Sequence, residues 1–204
     1  MGDFSQNGIV ANLHDFSIRS TEQIEKDLLK FSKERKLELI LPCLYSELEG
    51  DALPNIVNEI SKTKYLNHVI IGLDQANKAQ AKKAWKFFKK LKTPFSILWN
   101  DGPKLKKLDK ELKGIDLAPK QMGKGRNVWY CIGMAIARDE ARSVALHDCD
   151  IKTYDRRLLA KLFYPVENPL FNYEFCKGYY PRIADNKMHG RVARLLVNPL
   201  LTAM

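Results

Sequence analysis

Residues 37–44 read LELILPCL, an apolar run of eight residues with one charge near its start. That is too short for an ordinary globular helix and right for a strand buried on both faces. Working outward, Ser20 and Gln23 have the spacing of a capping box ahead of a helical stripe at Ile24, Leu28 and Phe31. After the run, Leu53, Ile56, Val57 and Ile60 mark a helix, and residues 67–73, NHVIIGL, read as a second strand. A helix over 77–91, a strand over 95–99, a short helix over 104–112, a polar loop over 119–125 and a helix over 127–138 follow. They lead into a strand at 143–146, which stops at His147-Asp148-Cys149-Asp150. Strands alternating with helices require right-handed crossovers and a mainly parallel sheet. The reading is a doubly wound α/β fold with helices on both faces, in one domain, with residues 1–35 as an N-terminal helical extension.

Beyond Thr153 the rhythm changes. Residues 155–163 read as a helix, Pro165 and Pro169 bracket a turn, the aromatic-rich NYEFCKGYY at 172–180 fits a strand, and 191–204 is helical at least to Pro199.

Composition narrows the function. The 204 residues carry 34 Lys and Arg against 24 Asp and Glu, a net charge of +10, with 45% hydrophobic residues, which excludes a disordered or collagenous chain. No apolar run approaches the ~20 residues that cross a bilayer. Asp3, Gln6 and Asn7 stand where a signal peptide would have its apolar core, so a cytoplasmic protein is expected. Cys43, Cys131, Cys149 and Cys176 are widely spaced, without a CxxC pair, and read as reduced, mostly buried thiols. The basic excess raises nucleic acid as a partner. Much of it, however, is lysine between 78 and 113, where Ala81, Ala84, Trp85, Phe88 and Leu91 recur at helical spacing and lysines fill the other face. A solvated helix face explains that pattern.

Ligands of doubly wound sheets sit beyond the carboxyl ends of the strands, so the segments after each strand carry the chemistry. Asp148 and Asp150 put two carboxylates at that edge, where Mg²⁺ or Mn²⁺ could bridge them to a diphosphate. Gly123-Lys124-Gly125-Arg126-Asn127 precedes a helix, a place that favours anions, and adds two cationic side chains. It is not a Walker A loop, since Ala118 and Gly125 stand where that motif needs Gly and Ser or Thr. No G-x-G-x-x-G follows the first strand, which disfavours a nicotinamide enzyme. Lys177, Arg182, Lys187, His189, Gly190 and Arg191 gather basic groups around the last helix, fit for a phosphate or carboxylate.

Taken in order, LPCLYSE (41–47), Asp74, GKGRN (123–127), ALHDCDI (145–151) and KGYYPRIADNKMHGRVARLLVNPLL (177–201) resemble the GT-A fold nucleotide-sugar glycosyltransferases. The resemblance is greatest to the N-terminal part of glucosyl-3-phosphoglycerate synthases and their mannosyl relatives. It implies a metal-dependent, retaining transfer of a hexose from a UDP- or GDP-sugar to glycerate or 3-phosphoglycerate. Pro42, Cys43 and Leu44 would then line the base and ribose, Asp74 the uracil and Lys124 the nucleotide. Asp148 would meet the ribose and donor sugar, Asp150 the metal, and Gly190, Arg191 and Val192 the acceptor, with Asp148, Asp150 and Arg191 as the catalytic set. Residues 165–204 would begin the acceptor region. Tyr45-Ser46 replaces the usual Asn-Glu, and Ala193 replaces a usual threonine. Relatives extend further, which implies a truncated enzyme, a nucleotide-sugar-binding module without turnover, or a homologue completed by a partner. The apolar C-terminal segment would suit a homodimer.

Overall fold

The computed structural model describes residues 18–171, 173–178, 182–184, 187–189 and 192–203. Among them, α1 (Thr21–Phe31), β1 (Leu37–Leu44), α2 (Ala52–Ile60), β2 (Leu66–Asp74), α3 (Lys78–Phe88), β3 (Phe95–Trp99), α4 (Pro103–Gly114), α5 (Lys124–Arg138), β4 (Ser143–Leu146) and α6 (Arg156–Glu167) succeed one another. The four strands form one parallel sheet in the order β3-β2-β1-β4. Seven of the eight residues of β1 and eight of the nine of β2 are buried. Side chains alternate across a strand, so burial at successive positions means that both faces of the sheet are covered.

The capping box at the start of α1 forms as expected: the Gln23 amide donates to Ser20 Oγ at 3.2 Å, and the Ser20 amide to Gln23 Oε1 at 2.9 Å. Asn77 and Gln80 repeat the device at α3. On α3 the lysines 78, 82, 83 and 86 are exposed, as are Lys89 and Lys90 just past its end, while Ala84 and Phe88 are buried. Trp85 is 46% exposed and packs on Phe95, with ring centroids 4.9 Å apart.

Gly72, in the middle of β2, lets α5 approach the sheet. Its carbonyl accepts from Asn127 Nδ2 at 2.7 Å, and a Cβ there would overlap the Asn127 amide and Cys131 Sγ. Ile40, Ile70, Cys131 and Ala135 pack at this junction, and burial pushes the Cys131 thiol up to about 12.

Several local expectations are corrected. The helix expected from Asn127 begins at Lys124, because Gly123 takes φ +120° and turns the chain directly into it. Pro165 does not form a turn with Pro169; it lies inside α6, which continues to Glu167. Burial of Phe163 and Tyr164 against Tyr65 and Phe31 outweighs the ~3 kcal/mol that an internal proline costs a helix. The strand expected at 172–180 is absent from the described residues 173–178, which are irregular, with Phe175 80% exposed.

The chain divides into two compact units. One is Arg19–Cys176, holding the parallel sheet; the other comprises Met1–Ile18 and Lys177–Met204. Described in the second are an antiparallel pair, β5 (Arg182–Ala184) with β6 (Lys187–His189), and a π-type turn at Ala193–Val197 running into α7 (Asn198–Ala203). The helix expected over 191–204 is thus present from 192, with Pro199 just past the junction of the π-type turn and α7. No helix among the described residues is long and apolar enough to cross a membrane.

Candidate functional site

The carboxyl edge of the sheet gathers most of the candidate residues. Pro42, Cys43 and Leu44 end β1, and Leu44 pairs in register with Asp74, the buried last residue of β2. Asp74 Oδ1 accepts from the Gln75 amide at 3.0 Å, and Gln75 takes φ +54°. Beyond β4, His147 continues the ladder by donating its amide to the Ile40 carbonyl at 3.1 Å. The turn that follows carries Asp148, Cys149 and Asp150. Asp150 is exposed and, among the described residues, makes no hydrogen bond or ion pair.

Lys124, the first residue of α5, pairs with Asp148 through Nζ and Oδ1, the two side chains being 58% and 41% exposed. An ion pair this open contributes at most about 1 kcal/mol. Arg126, the second cation of the same segment, is not available to a ligand. It is buried, and its guanidinium lies 3.0 Å from Asp109 Oδ1 and 5.1 Å from the Tyr130 ring centroid. Lys113, Tyr130 and Arg126 together hold the Asp109 carboxyl well below the usual carboxylate range.

Two residues of the segments that follow the strands were given no individual role by the sequence reading. Glu47, half-buried in the 3₁₀ turn after β1, accepts from the Leu44 amide at 2.7 Å. Burial raises its carboxyl, and the charges of Asp150 and Asp148 add to the rise. Asn100, just past β3, is 2% exposed with neither side-chain oxygen nor nitrogen hydrogen-bonded. The sequence marks both by their place in the segments after the first and third strands, and Glu47 also lies in the LPCLYSE stretch, but nothing local shows that Glu47 is half-buried or that Asn100 is left without a side-chain partner. His147 lies behind the carboxylates, Nδ1 2.9 Å from the Tyr154 hydroxyl, and burial lowers it to about 4.

Gly190 and Arg191 lie outside the described residues. Val192 is 68% exposed in the second unit, as are Leu195 and Leu196 at 65% and 59%.

This parallel sheet, with acidic residues gathered at its carboxyl edge, is the GT-A fold of nucleotide-sugar glycosyltransferases. The structure superposes on mannosyl-3-phosphoglycerate synthase from Rubrobacter xylanophilus with a TM-score of 0.54 at 18% identity, covering 92% of this chain and 52% of that one. It superposes on glucosyl-3-phosphoglycerate synthase from Mycobacterium tuberculosis, in complex with Mn²⁺, UDP and glucosyl-3-phosphoglycerate, with a TM-score of 0.52 at 16% identity, covering 94% and 56%. In sequence the chain resembles glucosyl-3-phosphoglycerate synthases along its whole length. It is 42% identical to that of Persephonella marina over 204 residues, and 40% identical to that of Methanococcoides burtonii over 206. The chain spans half the length of each of these curated relatives, 100% and 99% of its own length being covered. No family model matches it.

Proposed function

We propose that this chain carries the nucleotide-sugar site of a glucosyl-3-phosphoglycerate synthase, which moves glucose from a UDP-sugar to 3-phosphoglycerate. The observation that carries the proposal is the 42% identity along the whole chain, joined to a carboxyl edge that gathers Asp148, Asp150, Lys124 and Asp74.

In this reading Pro42, Cys43 and Leu44 line the base and ribose, and Asp74 faces the uracil. Lys124 leaves Asp148 for the diphosphate, and Asp148 turns to the ribose and the donor sugar. A divalent cation fits the residues present: the exposed carboxylate of Asp150, two positions from the partly exposed Asp148, offers hard oxygen donors suited to Mn²⁺ or Mg²⁺. Bound there, the ion offsets charge that builds on the departing nucleoside diphosphate. The start of α5 adds backbone N–H groups directed at the same anion. Gly190, Arg191 and Val192 serve the acceptor's phosphate or carboxylate.

Isothermal titration of UDP with and without Mn²⁺, on the wild type and on Asp150→Ala, tests the donor site. Metal-dependent binding that falls at least tenfold in the variant is expected; metal-independent or absent binding overturns the proposal. Radiolabelled UDP-glucose with 3-phosphoglycerate then separates transfer from binding without turnover.

A further inference from the structure

Under the carboxylates lies a second, chemically different group. Cys43 at the end of β1 and Cys149 in the turn after β4 are each 1% exposed, and with Glu47 they bring two sulfurs and a carboxylate oxygen within 4.8 Å of one another. The sheet explains the meeting. β1 and β4 run parallel, pairing Leu37 with Ser143 through Ile40 with Leu146, and the turn that follows β4 brings Cys149 to the end of β1, where Cys43 lies. Both cysteines are free, and Cys43 Sγ lies 3.3 Å from the Leu44 carbonyl.

We propose that Cys43, Cys149 and Glu47 form a binding site for a soft divalent cation of the zinc class, separate from the oxygen-donor site at Asp150. Zinc bonds of about 2.3 Å to sulfur and about 2.1 Å to oxygen put tetrahedral ligand atoms about 3.5–3.8 Å apart. The three ligand atoms, all within 4.8 Å of one another, need to draw in by about 1 Å to reach that spacing. On binding, two thiol protons pass to solvent, two S–Zn bonds form, and the Glu47 carboxylate supplies an oxygen. A fourth position is left to water, as in three-ligand zinc sites. Of the three ligands, half-buried Glu47 is the one that reaches solvent.

Ligand type divides the two sites. Thiolates select Zn²⁺, Cd²⁺ and Co²⁺, whereas Asp150 offers only oxygen and suits Mn²⁺ and Mg²⁺. A zinc ion held here ties the β1 edge to the turn carrying Asp148 and Asp150, so its occupancy sets the rigidity of the donor pocket. The site itself stands independently of the proposed transferase activity; only that consequence rests on it.

The test uses the full 204-residue chain, reduced and stripped of metal, titrated with Co²⁺ in the absence of nucleotide. Near-ultraviolet sulfur-to-cobalt charge-transfer bands saturating at one ion per chain, and displaced by Zn²⁺, are expected. Cys149→Ala should lose at least half of the band intensity, and Glu47→Gln should keep the bands with at least tenfold weaker binding. Zn²⁺ at a hundred times its Kd should raise the wild-type melting temperature by about 5–10 °C. Absence of sulfur bands in the wild type, which needs no variant to fold, overturns the site, as do bands unchanged in Cys149→Ala. The UDP titration is read separately, so each reading can fail alone.

Discussion

Replacing Asp109 with leucine isolates the largest electrostatic commitment near the site. Asp109 lies on α4, and Arg126 and Tyr130 on α5. Its carboxylate takes the Arg126 guanidinium at 3.0 Å, the Tyr130 hydroxyl at 2.5 Å and Lys113 Nζ at 2.7 Å. Lys113 is well exposed and returns to water when its partner goes. Arg126 and Asp109 are only 8% and 9% exposed in their side chains, so Asp109→Leu strands a buried guanidinium and leaves the Tyr130 hydroxyl without its acceptor. Breaking a buried pair on one side costs about 3–5 kcal/mol. For a chain of this length that lowers the melting temperature by about 6–20 °C. The double variant Asp109→Leu, Arg126→Met removes both charges and should recover most of the loss, since an apolar pair of similar volume is near neutral. Urea unfolding followed by circular dichroism on the wild type, both single variants and the double variant gives the coupling energy directly. The carboxyl of Asp109 is depressed in the fold, so its contribution is present above the unfolded value of about 3.8 and is lost as pH falls below it. Asp109→Leu should lack that acid-side component. A cost under about 1 kcal/mol for the single variant, or strict additivity in the double, would refute the reasoning.

Gly72→Ala drives a methyl group into the Asn127 amide and should cost about 1–3 kcal/mol by thermal melting, with partial recovery when Asn127 is also made alanine. His68 is buried against Ser96 Oγ at 2.9 Å, and burial, helped by Arg138 and opposed by Glu38 and Glu140, lowers its ring below the usual 6.5. Its stabilising contribution is therefore present above about pH 6.5 and declines as pH falls through that value. Urea midpoints measured from pH 8 to 5 should drop less steeply in His68→Gln, and an identical slope would show that His68 does not titrate this way. Asn100→Leu removes a buried amide that has no partner, so its unfolding free energy should stay within about 1 kcal/mol of wild type; a larger loss would reveal a hydrogen bond.

Most of the parallel architecture was legible in the sequence, for a local reason. LELILPCL at 37–44 and the strands over 95–99 and 143–146 appear in the structure with the expected bounds, because a short apolar run between turn residues has few other ways to bury itself. The capping pair Ser20 and Gln23 and the apolar face of α3 are equally local, each depending on residues within one or two turns. The strand-end position of Asp148 and Asp150 followed from the same reading.

What lay between elements was decided by the tertiary structure. Arg126 reads in sequence as a free cation beside Lys124, yet α4 brings Asp109 to it and holds it in a buried pair. Pro165 reads as a helix end, yet aromatic packing of α6 carries the helix past it. Cys43 and Cys149, 106 positions apart, carry no spacing signal; the pairing of β1 with β4 and the turn that follows β4 make them neighbours. Periodicity and capping act over a few residues and are written into the chain directly. Buried charge pairing and ligand clusters depend on which elements the sheet sets side by side, and that is settled only when the chain folds.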